Sequence, residues 1–292
     1  MVFFLSEKKL EVFNILNFLN SGYELMDIFN EGNFGTFKSS DDCIDYLVSN
    51  EYIVKEKELS LDEISKKYVI KDLKDILRDN NLKISGSKQE LVERVYPILN
   101  NTDDYALTDK AKDFLKENAW IDLYMFALVS FKFVDYENYV ENSNEGMINT
   151  AFKFCDEILS YSLLNNSFII FIDALSAKAH VYAYIGNYES FLDYTLQKFI
   201  LSLNPFDVQS VNNYQVISDA DVINLTNVTE KLNMGSLKKR FDKIWVKSNI
   251  KNVTVPKKTS YKFLKKAING ADVKNLNYEI KDKYFNKKLL NV

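Results

Sequence analysis

The sequence offers few side chains that could carry out acid–base or nucleophilic chemistry. His180 is the sole histidine, and Cys43 and Cys155 are the only cysteines. Cys155 and His180 would be the one candidate nucleophile pair, but a histidine flanked by Ala and Val in a helical pattern is typical of a packed side chain. Asp219 and Asp221 could chelate a divalent ion, yet two carboxylates at a helix start usually cap it. We therefore predict no catalytic residue, no cofactor and no metal site, and a protein that is not an enzyme.

Basic side chains, by contrast, are concentrated near one end of the chain. Residues 231–292 carry 17 Lys and Arg against four Asp and Glu, although the whole chain has a net charge of −4. This concentration of positive charge favours contact with an anionic partner. It equally permits a basic segment that packs on the acidic remainder of the same chain, and the sequence leaves both interpretations open.

Composition and the spacing of apolar residues predict a mainly α protein. The chain has 292 residues, enough for two or more domains, with only three prolines and eight glycines to interrupt helices. A helix followed by the strand-like Tyr52-Ile53-Val54 is one component of a winged-helix-like element, and Tyr105–Thr108 predicts a strand that enters a helix. We expect the main domain boundary in the acidic segment 136–146.

The predicted organisation has five parts. They are an N-terminal helical region (1–59), a helix–loop–helix motif (60–100), a strand and helix with a buried connecting helix (101–135), an α-helical bundle or repeat-like domain (146–250), and a basic linker and tail (251–292).

The segment 69–99 predicts two short helices around a very small core. Gly86 allows a turn with positive φ, and Ser87 can cap the second helix. So small a core needs support from neighbouring segments. The capping box formed by Ser60 and Glu63 predicts a short helix, 60–67, directly before it. The apolar residues at helical spacing are Val69, Leu73, Ile76 and Leu77 on the first helix and Leu91, Val92 and Val95 on the second, with Leu82 expected to fill the loop.

This segment resembles a SAP domain over about a tenth of the chain. The resemblance lies in the pattern hydrophobic-x-x-x-Leu-Lys-x-x-Leu followed by Leu-x-x-x-Gly-x-Lys-x-x-Leu-x-x-Arg. Asn81 stands where the family usually has Gly, and Asn is the next most tolerant residue of the left-handed conformation. Five carboxylates, Asp72, Asp75, Asp79, Glu90 and Glu93, dilute the positive face. A protein-docking hairpin is therefore the alternative to a DNA-binding one.

The resemblance implies contact with double-stranded DNA through the loop and the start of the second helix. At the matching positions, side chains and helix-start amides would meet phosphates. The candidate residues of the motif are Lys71, Lys74, Arg78, Lys83, Ser85, Gly86, Ser87, Lys88 and Arg94. In the basic C-terminal region we assign the charges, rather than the interleaved aromatic residues, to binding. The candidates there are Lys238, Lys239, Arg240, Lys257 and Lys258.

A second segment, 174–205, resembles the inner half of a tetratricopeptide repeat. It carries small residues and tyrosines before a turn at Gly186 and a further tyrosine at Tyr188. Phe191 stands where the family has a small residue, and the sequence has no clear second copy. We expect a helical hairpin, with a peptide-binding groove as the alternative.

Two functions fit these patterns. The first is a non-enzymatic DNA-binding accessory protein, in which the SAP-like motif and the basic C-terminal region contact the duplex backbone. Its helical domain would recruit a protein partner or self-associate. The alternative is a structural or scaffold protein, for example of a phage or another mobile element, whose helical modules dock proteins.

The sequence also predicts a cytoplasmic protein without membrane contact. The strongest apolar stretches fall short of the roughly 18 residues that a spanning helix needs. The apolar amino terminus is too short for a signal peptide. Two distant cysteines fit a reducing compartment.

Overall fold

A computed structural model describes residues 2–31, 35–55, 59–99, 105–207, 215–232 and 237–285. Helices dominate these ranges, and their only sheet is one pair of short strands. The mainly α fold predicted from the sequence is therefore confirmed. The chain divides into two compact units, Met1–Ala119 and Trp120–Val292.

The first unit contains a helical subdomain and a helix–loop–helix. Its elements are α1 (Val2–Asn20), α2 (Leu25–Glu31), α3 (Ser40–Ser49), β1 (Ile53–Lys55), α4 (Leu61–Lys67), α5 (Ile70–Asp79), α6 (Lys88–Leu99), β2 (Tyr105–Leu107) and α7 (Asp109–Glu117).

The two strands of the first unit pair although the helix–loop–helix separates them in the chain. They run antiparallel, with Ile53 opposite Leu107 and Lys55 opposite Tyr105. Helices α4, α5 and α6 lie between β1 and β2 in the sequence, so the helix–loop–helix is an insertion between two paired strands. The one component of a winged-helix-like element that the sequence predicted, a helix followed by a short strand, corresponds to α3 and β1.

The helical subdomain has a core of its own. Ser39 caps α3 by accepting a hydrogen bond from the amide of Asp42, which fixes where that helix begins. Ile15 of α1, Leu47 of α3 and Ala111 of α7 are fully buried together. This core is separate from the one inside α4–α6.

The second unit is a succession of helices. Its elements are α8 (Trp120–Leu123), a π-helical turn (Tyr124–Leu128), α9 (Phe133–Glu141), α10 (Met147–Leu164), α11 (Phe168–Tyr184), α12 (Tyr188–Ser202), α13 (Asp219–Lys231), α14 (Leu237–Lys247), α15 (Lys257–Ile268), α16 (Val273–Ile280) and a second π-helical turn (Lys281–Phe285). Helix α11 packs against both α10 and α12. Gly186, with φ of +74°, makes the tight turn of the predicted hairpin between α11 and α12.

The segment 136–146, expected to be a boundary, is instead largely helical. Helix α9 covers its first half, Tyr136 is fully buried, and the ring of Phe133 stacks on Trp120 at 5.4 Å. Of the three glutamates of the segment, Glu141 and Glu145 are exposed, whereas Glu137 is buried in α9. The division between the units falls at Ala119–Trp120.

The predicted basic linker and tail, 251–292, also differs from the structure. Through residue 285 it forms α15, α16 and the final turn, whose Phe263, Leu276 and Phe285 join the same buried core as Phe199 of α12. Apolar residues at helical spacing sit among the lysines and anchor these elements. Residues 286–292 lie outside the described residues.

Candidate nucleic-acid interface

Helices α4, α5 and α6 close around a core of six buried apolar side chains. Ser60 and Glu63 form the predicted capping box, with the Ser60 amide donating to Glu63 Oε2 at 2.8 Å. Helix α4 thereby starts where it can place Ile64, fully buried, against the other two helices. The six side chains are Ile64, Leu73, Leu77, Leu91, Val92 and Val95. The support that the two-helix core needs thus comes from α4.

Two apolar residues expected in this core lie outside it. Val69 is the N-cap of α5 and 60% exposed, and Leu82 is 45% exposed. The Leu82 amide donates to the Leu77 carbonyl at 2.7 Å, so its backbone closes the end of α5 while its side chain points outward. The loop is therefore held by its main chain and not by an apolar plug.

Two residues with positive φ shape the loop between α5 and α6. Asn81 has φ of +56° and takes the left-handed conformation expected of it. Gly86 has φ of +135°, and a Cβ there would lie 2.6 Å from Arg94 Nη2 and from Glu90 Oε2. The backbone angle therefore requires glycine at 86, and a Cβ there would also displace the ends of the Arg94 and Glu90 side chains.

Arg94 holds this loop in place. Its Nη2 donates to the Ser85 carbonyl at 2.6 Å, and its Nη1 donates to the Lys83 carbonyl. One planar guanidinium thus bridges two carbonyls of the loop. The sequence placed Arg94 among the phosphate contacts, whereas the structure engages it in positioning the loop that carries Lys83 and Ser85.

The start of α6 is also engaged internally. Ser87 and Glu90 form a capping box, in which the Ser87 amide donates to Glu90 Oε2 at 2.6 Å and the Glu90 amide donates to Ser87 Oγ at 3.3 Å. The hydrogen bonds from the Ser87 amide and hydroxyl hold the pKa of Glu90 below its ordinary value. Lys88 Nζ donates to the Ser65 carbonyl near the end of α4 at 2.6 Å. Ser87 and Lys88 therefore stabilise the hairpin, and a carboxylate sits at the helix start.

Few cations of the motif remain uncommitted. Arg78 pairs with Asp75 at 2.5 Å. Lys71, Lys74 and Lys83 form no ion pair with any other described residue. Among the predicted site residues of the motif, these three lysines can offer positive charge to a phosphate backbone.

The winged-helix-like element does not add to this charge. Helix α3 precedes its strand pair and carries Asp41, Asp42 and Asp45 without a lysine or arginine. An acidic helix is repelled by phosphates. Helix α3 is therefore poorly suited to reading bases in a DNA groove.

In the second unit, most predicted cations already have acidic partners. Arg240 Nε donates to Asp193 at 2.5 Å, and Nη1 and Nη2 bind the carboxylate and the carbonyl of Glu189. Lys238 and Lys257 both pair with Asp242. Packing of the basic segment on the acidic body, one of the two interpretations left open, is thus observed for Arg240.

Several lysines of this region remain exposed, Lys243, Lys251 and Lys274 among them. Lys239, Lys258, Lys262 and Lys265 form no ion pair with any residue that the structure describes. Lys262 and Lys265 were not among the predicted site residues. Their spacing from Lys258 by four and seven positions was the sequence signal that could have identified them.

Two of the residues considered for catalysis or metal binding, His180 and Asp221, contact neighbouring groups of the second unit. His180 Nδ1 lies 2.8 Å from the Ser176 carbonyl. Asp221 accepts from Ser218, the N-cap of α13, and pairs with Lys198 at 2.6 Å. No group of three potential metal ligands occurs within the ranges that the structure covers.

We expect both cysteines to be unreactive in the folded protein. Burial raises the pKa of Cys43 and of Cys155 from 9.0 to about 12. Because the thiolate is the nucleophile, a shift of this size leaves about a thousandfold less reactive species near neutral pH. Labelling with a disulfide reagent at about pH 8 should be slow in the native state and fast for two thiols in guanidinium chloride. Rapid native labelling of either thiol would contradict this burial.

Comparison with protein-family models matches the SAP domain at residues 65–96. The match runs from the end of α4 through α5 and the loop into α6, and it confirms the resemblance seen in the sequence. The SAP domain is a general DNA-binding motif. No curated protein and no solved structure matches the chain.

Among the described helices, none has both the length and the apolar character needed to cross a membrane.

Proposed function

We propose that this chain is a non-enzymatic DNA-binding accessory protein that contacts the duplex backbone through its SAP segment and its basic C-terminal region. The observation that carries the proposal is the SAP match at 65–96, on a hairpin whose loop residues 81–87 are all exposed. Arg94 and Gly86 fix the shape of that loop. A loop fixed in this way presents Lys83 without first having to be ordered on binding.

The available side chains of the motif are suited to contacts with the DNA phosphate backbone rather than with the bases. The uncommitted cations of the motif are lysines, which act toward phosphates as point charges. With three such contacts, the logarithm of the DNA association constant should fall with the logarithm of the salt concentration with a slope of about −3. Because the salt slope grows with the number of phosphates neutralised, we expect the C-terminal region to add to these three contacts.

The test is a fluorescence-anisotropy titration of a short labelled duplex over a series of salt concentrations. The variant Lys71→Gln/Lys74→Gln/Lys83→Gln removes the three predicted site lysines of the motif that have no ion pair with a described residue. It should bind about tenfold or more weakly at low salt and show a slope shallower by about 3.

The matched control is Lys66→Gln/Lys110→Gln/Lys112→Gln. It removes three positive charges from the same unit, but from lysines already paired with Asp62, Glu51 and Asp109. We expect it to bind with nearly the wild-type slope. Equal losses in both variants would mean that net charge, and not the motif, governs binding, and absence of wild-type binding at low salt would reject the proposal.

One observation favours the alternative, a protein that docks other proteins. Around the turn between α10 and α11, Tyr161, Leu163 and Leu164 are 58%, 57% and 87% exposed, and Ile169 is 40% exposed. Exposed apolar residues that follow one another in this way are typical of interaction surfaces. A protein that binds no duplex but self-associates, with loss of self-association in Leu163→Ser/Leu164→Ser, would favour this alternative.

A further inference from the structure

The lysines of α15 fall into two classes that the sequence does not distinguish. Lys257 pairs with Asp242 at 2.8 Å, and Lys266 pairs with Glu279 at 2.8 Å. Lys258, Lys262 and Lys265 are exposed and form no ion pair with any residue in the described ranges. The positive charge that α15 offers to a partner therefore comes from these three.

The three uncommitted lysines share one side of the helix. Helix α15 buries Ser260, Phe263, Leu264 and Ala267 against the second unit, and positions 258, 262 and 265 fall opposite that face at 3.6 residues per turn. Successive lysines are about 6 Å and about 4.5 Å apart along the axis, from a rise of about 1.5 Å per residue. We call Lys258, Lys262 and Lys265 the lysine stripe.

The surroundings of the stripe are open and electropositive. Lys262 and Lys265 line a shallow depression of about 520 Å³ together with Lys266, Asn269 and Gly270. Residues 237–285 carry 14 Lys and Arg against four Asp and Glu. Two of those carboxylates, Asp242 and Glu279, are each bridged by two lysines. Little negative charge is left nearby to neutralise the stripe.

We propose that the lysine stripe of α15 is a second phosphate-binding surface for duplex DNA. This inference rests on the DNA-binding function proposed above. Its chemistry is complementary to a polyanion, since three ammonium groups follow one exposed helix face without carboxylate partners. It also adds to the SAP segment, in which Lys71, Lys74 and Lys83 are the predicted site lysines without an ion pair, because each further phosphate contact strengthens duplex binding. Lys238, Arg240 and Lys257, by contrast, already have carboxylate partners within the second unit.

The experiment compares two triple variants of the full chain in the same anisotropy titration. Lys258→Gln/Lys262→Gln/Lys265→Gln removes the stripe. Its matched control, Lys238→Gln/Lys247→Gln/Lys283→Gln, removes the same charge from lysines bound to Asp242, to the Tyr194 ring and to Glu279, and leaves each carboxylate one lysine partner. Circular dichroism and thermal unfolding establish that both variants are folded.

The stripe variant should bind duplex about tenfold or more weakly, with a salt slope shallower by about 2 to 3, while the control stays near wild type. A stripe variant that binds with the wild-type slope, while wild type binds duplex, would overturn this inference and leave the proposed function standing. No binding by wild type at low salt would overturn both. Equal losses in the stripe variant and the control would assign the effect to net charge and overturn the inference.

Discussion

Replacing Leu91 by alanine should unfold the SAP segment while the helical subdomain of the same unit stays folded. Leu91 is fully buried in a core of only six such side chains. Truncating a buried leucine costs about 2–5 kcal/mol, and a core this small has little stability in reserve. The helical subdomain has its own core around Ile15 and Leu47, so it should not follow.

Hydrogen exchange read by mass spectrometry would check this expectation. Amides of α4, α5 and α6 should exchange much faster in Leu91→Ala than in wild type, and those of α1 and α3 should keep their protection. Duplex binding should also weaken, because the loop between α5 and α6 would lose its fixed conformation. The matched control is Leu82→Ala, the same substitution in the same hairpin at a side chain 45% exposed, for which we expect a change within about 0.5 kcal/mol. If both substitutions destabilised the hairpin to a similar extent, Leu82 would have to be part of the buried core.

Replacing Arg240 by glutamine should destabilise the second unit by about 2 kcal/mol and leave the salt dependence of DNA binding unchanged. The Arg240 side chain is 15% exposed and joins α14 to Asp193 and Glu189 of α12. Breaking a fully buried ion pair costs about 3–5 kcal/mol. The estimate is lower here because the Glu189 side chain is 61% exposed, and water screens part of the interaction.

Denaturant unfolding and the anisotropy titration together test this role of Arg240. The control Lys239→Gln removes the same charge at the preceding residue, which is exposed, and should change stability by no more than about 0.5 kcal/mol. An Arg240→Gln protein as stable as wild type, with a salt slope shallower by about 1, would make Arg240 a phosphate contact, as the sequence had suggested.

The elements of the SAP segment follow from local sequence. The capping residues Ser60 and Ser87 set the starts of α4 and α6, and Asn81 and Gly86 supply the positive φ angles of the loop. Each of these features involves residues no more than a few positions apart, so residue type and spacing are sufficient to predict them. The mainly α fold was predictable for the same reason, because helical periodicity is a local property.

The roles of the charged residues were decided by the tertiary structure. Arg94 binds carbonyls 9 and 11 residues before it, Lys88 binds one 23 residues before it, and Arg240 binds Glu189 and Asp193, 51 and 47 residues before it. A sequence gives the position and sign of each charge but not the groups that folding brings next to it. Those neighbours decide whether a cation pairs with a group of the protein itself or is available to bind a phosphate.

The same limit applies to the strand pair and to the C-terminal helices. Strands β1 and β2 meet across the inserted hairpin, and α15 and α16 are ordered because Phe263 and Leu276 find a core that begins at Phe199 of α12. From its composition alone, a lysine-rich segment is predicted to be a linker. It forms stable helices only when its apolar residues can pack against a core elsewhere in the chain. The sequence by itself determined which helices could form and which residues could bind phosphates, and only tertiary packing decided which lysines remained free to do so.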